Sequence, residues 1–243
     1  DWLQPNGKSI KGDASNSLIG TAYFAHGAEV VSKIAEILGK KDDAKKYAEL
    51  SENVKKAFVK RFVGADGTVE SDSQTAYLLP LAFDILPREL ARKAHAKLLE
   101  RIAKDKFHLN TGFVGTPHLN PVLTKTGSHD LAVRLLLNKT YPSWLYPITQ
   151  GATTMWERWN SFSHEKGFGD VNMNSFNHYA YGAIGQWMYA NIGGLWYDAA
   201  GYSRVLFAPK FDKRITSASV WHDTPYGRAS SAWRLENGAV KWR

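Results

Sequence analysis

With 243 residues, 44% of them hydrophobic and 22% charged, the chain can bury on the order of 70% of its unfolded surface in one large or two ordinary domains, which excludes a disordered polypeptide. It has no cysteine, so disulfides, thiolate nucleophiles and thiolate metal sites are excluded, and no apolar run approaches the roughly 20 residues of a membrane span. A net charge of +8 fits nucleic acid, an acidic polysaccharide or a solvated surface; lysines such as Lys40, Lys41, Lys45, Lys46, Lys55, Lys56 and Lys60 alternate with acids, away from the aromatics, which favours the solvated surface and gives nucleic acid little support.

In chain order, Asp1 to Gly7 reads as a loop through its Pro, Asn and Gly, with Trp2 beside a carboxylate. Tyr23, Phe24, Val30, Val31, Ile34, Ile37 and Leu38 recur at helical spacing over residues 19–38, and Gly39 supplies the stop. Asp42 is the expected cap of a second helix carrying Tyr47, Leu50, Val54, Phe58 and Phe62, so the two form a hairpin. A turn over residues 62–69 leads to a helix over 73–86 that is apolar on most sides; Pro80 inside it predicts a kink or a later start. Pro87 opens the next helix, to about Asp105, with Leu90, Ala94, Leu98 and Ile102 as its inner stripe. Residues 107–117 read as a loop, in which Gly112 and Gly115 flank Phe113 either for close backbone approach to a ligand or for positive φ. Shorter helices over 118–125 and 129–138 surround Gly127, and Tyr141 to Pro147 forms an aromatic, proline-bounded loop.

The chemistry is expected between Gln150 and Tyr181. Glu157 stands between Trp156 and Trp159, with Thr153, Thr154 and Arg158 nearby. Carbohydrate sites need this mixture, because ring faces cover the apolar face of a sugar while a few polar groups fix its hydroxyls. The same residues also fit a buried Glu paired with Arg158. His178 opens a predicted last helix over 177–192, closed by Gly193-Gly194, and reads either as a hydrogen-bonded core residue or as a functional one. From Trp196 the texture changes to strand-like runs at 205–209, 215–221 and 228–233, with turns at Pro225-Tyr226-Gly227 and Asn237-Gly238. No His-x-x-x-His pair or carboxylate cluster predicts a metal, and no cofactor is expected. No signal peptide is visible, and compartment and oligomeric state stay open.

Several of these motifs occur together in one order: Asp1-Trp2, Thr-Gly-Phe-Val-Gly-Thr-Pro from Thr111, Tyr-Pro-Ser-Trp-Leu-Tyr from Tyr141, Gly-Ala-Thr-Thr-Met-Trp-Glu-Arg-Trp from Gly151 and Asn-Ser-Phe-Asn-His-Tyr-Ala-Tyr-Gly from Asn174. In this the chain resembles the helical catalytic domain of bacterial α-L-rhamnosidases, glycoside hydrolase family 78, over nearly its whole length. The resemblance implies a mainly α fold, an (α/α)6 barrel of six helical hairpins over residues 1–196, followed by the start of a β-sandwich over 197–243. It implies inverting hydrolysis of terminal α-L-rhamnosides, with a rhamnose-containing glycoside, oligosaccharide or polysaccharide as partner. Glu157 would be the general base, flanking rings tending to raise its pKa and Arg158 to oppose that. His178 would contact sugar hydroxyls and Trp2 would wall the rhamnose, with Trp144 and Trp156 as further pocket members.

One departure stands out. The family's general acid lies in an Asp-Cys-Pro loop rich in Arg, Glu and Trp-Gly, upstream of Asp-Trp, and no such stretch exists here. About seven predicted helices also fall short of the twelve of a closed barrel, so the chain is expected to be the C-terminal part of a catalytic domain, inactive or poorly active by itself. The alternatives are another (α/α)6-barrel glycosidase acting on a different sugar and a non-catalytic helical carbohydrate-binding module; no fixed repeat near 34 to 47 residues favours a helical-repeat array.

Overall fold

The computed structural model describes residues 1–7 and 10–243. Its helical part opens with α1 (Asn16–Ile37) and α2 (Lys41–Phe62), continues through α3 (Gln74–Ala82), α4 (Arg88–Lys104), α5 (Thr116–Lys125), α6 (His129–Leu136) and α7 (Leu145–Thr149), and ends in a broken helix. Ser15 caps α1 by accepting from the Leu18 N–H at 3.2 Å, which satisfies one of the orphan donors of a helix start. Asp42 is not the cap of α2: Lys40 holds that position without a side-chain bond, and Asp42 and Asp43 lie in the first turn, where they oppose the helix dipole.

The α1/α2 hairpin forms as expected, but α1 presents the opposite face from the one its bulky residues suggest. Leu18, Ala22, Ala25, Ala28 and Ala35 are buried, whereas Tyr23, Phe24, Val30, Val31, Ile34, Ile37 and Leu38 are exposed. Alanines let the two helix backbones approach, and Ser32 and Ser51 hydroxyls bond the carbonyls of Ala44 and Ala25 across the seam at 2.7 and 2.9 Å. Helix α3 lies at the centre, buried from Gln74 to Leu81. Pro80 does not delay its start; the helix runs on for two residues and stops at Ala82. Gln74 ties the centre to the loop after α4, donating to Asp105 Oδ2 (2.8 Å) and the His108 carbonyl (3.0 Å) and accepting from the Asn110 N–H (3.0 Å).

His118, on α5, faces this core. Its ring meets Phe83 edge-on at 5.1 Å, while His26 stacks flat on the same phenyl at 4.3 Å. Burial, with a smaller contribution from His26, lowers the His118 pKa to about 4. A histidine depressed in the folded state destabilises the fold as pH drops below its unfolded value of about 6.5, and the loss continues until the folded pKa is reached. The expected outcome is a stability decline on the order of 2–3 kcal/mol between pH 6.5 and 4 that His118→Phe removes, read from urea midpoints across that range.

The last helix is not one α-helix opening at His178. A 3₁₀ turn (Ala180–Ala183) precedes α8 (Ile184–Trp187) and a π-helical stretch (Met188–Gly193), so His178 sits in the coil just before it. Two short hairpins, β1 (Phe162–Ser163) with β2 (Gly167–Phe168) and β3 (Leu195–Tyr197) with β4 (Val205–Phe207), flank this region. The chain ends in an antiparallel meander, β5 (Ser217–Thr224), β6 (Gly227–Glu236) and β7 (Ala239–Trp242). Its second hairpin turns on Asn237 and Gly238, both at positive φ (51° and 77°), as the two-residue Asn-Gly turn requires. The sheet docks on the helical part: buried Trp233 donates to the Ile192 carbonyl at 2.7 Å, and a Cβ on Gly193 would stand 2.4 Å from Val220 Cγ1.

Candidate active site

Four distant segments meet around Tyr181. The first is held by the Asp1 carboxylate: Oδ2 accepts from the Gly112 N–H (2.7 Å) and the Thr75 hydroxyl, and Oδ1 from the N–H groups of Val114 (3.0 Å) and Trp2 (2.8 Å). Four donors on one carboxylate make it a clamp, and the Phe113 N–H adds a bond to the Trp2 carbonyl at 2.8 Å. The two glycines of this loop serve the same clamp. Neither has positive φ; instead a Cβ on Gly112 would stand 2.0 Å from the Trp2 carbonyl oxygen, and one on Gly115 2.2 Å from Thr75 Oγ1. The close approach is therefore to the chain's own first residues and to α3. Trp2 is thereby placed, half-buried, next to Phe113.

Phe113 carries the connection onward. Its ring lies 5.0 Å from that of His178 and meets Tyr181 edge-on at 5.2 Å. Tyr181 stacks on Trp159 at 3.8 Å, Trp144 meets Trp159 edge-on at 5.6 Å, and the Trp144 N–H donates to the Tyr181 carbonyl at 3.0 Å. The Tyr181 hydroxyl donates to the Leu3 carbonyl at 3.4 Å, closing the circuit back to the first segment. Its pKa is raised first by burial, then by Tyr141, and also by the Glu157 charge, against the opposing Arg158; the Glu157 carboxylate is thus within electrostatic reach of this cluster.

Glu157 is set by two reciprocal bonds to one residue. Its N–H donates to the Ser175 carbonyl at 2.9 Å, and its Oε2 accepts from the Ser175 N–H at 2.8 Å. The residue is 9% exposed. Oε1 accepts no hydrogen bond from the described residues. One oxygen is thus anchored and the other is available. Arg158 is not its partner: the guanidinium donates to the Met173 carbonyl (2.9 Å) and pairs with Asp170 (3.3 Å). The pairing of Glu157 with Arg158 that the sequence also allowed is absent among the described residues.

The same backbone pairing brings His178 alongside. The His178 N–H donates to the Met155 carbonyl at 2.8 Å, and the Thr154 hydroxyl bonds the Phe176 carbonyl, so residues 154–157 run beside 175–178. His178 Nδ1 accepts from the Ala180 N–H at 3.3 Å, which leaves Nε2 to carry the proton of the neutral ring and to donate. Trp156 parts company with the others. Its ring turns to Phe176 (5.3 Å) and Phe162 (6.5 Å), a separate aromatic group on the side of the β1/β2 hairpin. Glu157 lines none of the four cavities of about 270 to 550 Å³ found elsewhere on the described residues. Among the described residues no group of three His, Asp or Glu could hold a metal ion.

The sequence reading missed Ser175, Phe113 and Tyr181 as parts of this arrangement. All three lie inside the quoted motifs, but a backbone N–H that grips a carboxylate leaves no mark in residue type.

A family model described as the bacterial alpha-L-rhamnosidase 6 hairpin glycosidase domain matches residues 1–192, and one described as the bacterial alpha-L-rhamnosidase C-terminal domain matches 194–243. An alpha-L-rhamnosidase of Formosa agariphila is 52% identical over 98% of this chain and 26% of its own length. The crystal structure of Streptomyces avermitilis alpha-L-rhamnosidase complexed with L-rhamnose superposes with a TM-score of 0.91 at 44% identity, covering 99% of this chain and 23% of that one. The native alpha-L-rhamnosidase of Aspergillus terreus gives a TM-score of 0.94 at 33% identity over 100% of this chain and 28% of its own. The chain thus spans about a quarter of the length of the curated relatives it matches.

Proposed function

The chain belongs to the bacterial α-L-rhamnosidase family, and from that membership and the geometry around Glu157 we propose that it carries the base side of an inverting glycosidase acting on terminal α-L-rhamnosides. The observation that carries this reading is the divided Glu157 carboxylate, Oε2 held by the Ser175 N–H and Oε1 unbonded by the described residues at 9% residue exposure. A general base needs that division: a fixed side chain, and one lone pair aimed at a water. His178 Nε2 donates to a sugar hydroxyl, Trp2 walls the ring, and Trp144 backs the wall through Trp159 and Tyr181. Trp156 lines the outer, Phe176 side. The L-rhamnose bound by the Streptomyces avermitilis relative is the sugar this arrangement is proposed to take.

Inversion needs a second, protonated carboxyl about 6.5–9.5 Å from the base, across the sugar. Asp1 does not supply it, since its oxygens already take four donors, and Asp170 is paired with Arg158. The acid is proposed to come from the whole protein outside residues 1–243. The protein then hydrolyses an aryl α-L-rhamnoside but not the matching α-glucoside, the first sugar seen by proton NMR is the β-anomer, and a chelator leaves the rate unchanged. Cleavage of the glucoside at a comparable rate, or first release of the α-anomer, would overturn the reading.

A further inference from the structure

A cavity of about 400 Å³ opens where α4 and α6 end, beside the segment leading into the C-terminal sheet, and its lining includes Lys106, Phe107, His108, Arg134, Lys139 and Arg214. No acidic residue lines it. Arg214 is held by Asp212 and by the Asp130 carbonyl, whereas Lys106, Arg134 and Lys139 make no ion pair with the described residues. Three uncompensated cations therefore share one concave surface. The Arg134 guanidinium carbon stands over the Phe107 ring, 3.6 Å from its centroid, a contact that holds the group in place while its N–H groups can serve a planar or tetrahedral oxyanion.

The backbone points the same way. After α4 the Lys106 N–H bonds the Ala103 carbonyl and the Phe107 N–H the Ile102 carbonyl, a helix-ending motif whose left-handed position favours glycine. Helices α1 and α5 place Gly39 and Gly127 there, with φ of 71° and 91°; α4 places Lys106, at 56°, followed by Phe107 at 58°. Two successive non-glycine residues are held in a disfavoured conformation, and the result puts a cation at the rim and a ring beneath Arg134. Strain of this kind gathers where geometry serves a ligand.

We propose that this cavity binds the anionic groups of an acidic polysaccharide, a uronate carboxylate or a sulfate ester, apart from the Glu157 site. Nucleic acid is disfavoured, because the cavity has one phenyl ring, with Arg134 over it, whereas base binding uses several aromatic faces for successive bases. The choice of a glycan rests on the proposed rhamnosidase function; the basic cavity does not.

The test is affinity electrophoresis of the full chain through gels containing polygalacturonate, dextran sulfate or neutral dextran. Retardation by either polyanion, falling with salt, is expected, and the polyanion that retards more strongly names the group. R134Q combined with K139Q should weaken it about tenfold, while K45Q combined with K46Q, an equal loss of charge elsewhere, leaves it nearly unchanged. K106G should raise the melting temperature yet weaken retardation. Equal weakening by the control pair, equal retardation by neutral dextran, or stronger binding of a single-stranded oligonucleotide would overturn the proposal. Hydrolysis of an aryl α-L-rhamnoside by the whole protein, which would supply the acid, stays unaltered by R134Q/K139Q, so this test fails or succeeds independently of Glu157.

Discussion

Glu157→Gln in the full-length protein is expected to lower kcat on an aryl α-L-rhamnoside by about 10²–10⁴-fold with little change in KM, the range a positioned general base contributes. The amide keeps the carbonyl oxygen that accepts the Ser175 N–H, so the segment pairing of 154–157 with 175–178 survives. What it loses is the basic lone pair on the free oxygen. Thermal unfolding should therefore move little, and equilibrium binding of L-rhamnose should persist. A kcat within about threefold of the parent would remove Glu157 from the chemistry.

The second large effect lies far from Glu157 in sequence. Gly112→Ala puts a methyl 2.0 Å from the Trp2 carbonyl oxygen, a backbone atom that cannot swing aside. Relief requires moving residues 1–3 off the loop, at the expense of the Phe113 to Trp2 hydrogen bond and the Asp1 clamp. A destabilisation of about 1–3 kcal/mol is expected. Activity should fall further, about 10²-fold, if Trp2 walls the sugar as proposed, because its displacement removes that wall. Gly20→Ala is the matched control: it lies inside α1 with nothing within 4 Å of the added methyl, and should stabilise by about 0.4–1 kcal/mol. Denaturant midpoints and kcat/KM for the two variants settle the contrast; a neutral Gly112→Ala would mean that the clamp does not hold Trp2.

The contrast between these glycines shows what the sequence could convey. Periodicity predicted the α1/α2 hairpin and the buried α3, and turn residues the Asn237-Gly238 turn, because each is a local pattern read over a few residues. It misjudged which face of α1 is buried, since bulky apolar side chains outweigh alanines in any hydrophobic pattern while alanines decide how closely two helices approach. It treated Asp1 as part of a terminal loop, because three of the four donors on its carboxylate stand 74, 111 and 113 residues away. Trp156, Trp159 and the motif around them single out Glu157 as the candidate, but they reveal neither its grip by Ser175 nor that Arg158 turns to Asp170. Trp144 and His178, named through the resemblance, join one cluster through Trp159, Tyr181 and Phe113; Trp156, named on the same ground, faces Phe162 and Phe176. Neighbouring side chains on an irregular segment can turn to different sides, and residue type cannot say which.

Chemical rescue tests the role of Glu157 most directly. In Glu157→Ala the carboxylate is gone, and on the proposed mechanism this opens a small space on the side from which water would attack, so azide can take the place of the base-activated water. Azide should restore turnover of an aryl α-L-rhamnoside and give β-L-rhamnosyl azide, the leaving phenol carrying away the proton of the acid. A folded, rhamnose-binding variant that azide does not rescue, or one that yields the α-azide, would contradict the account.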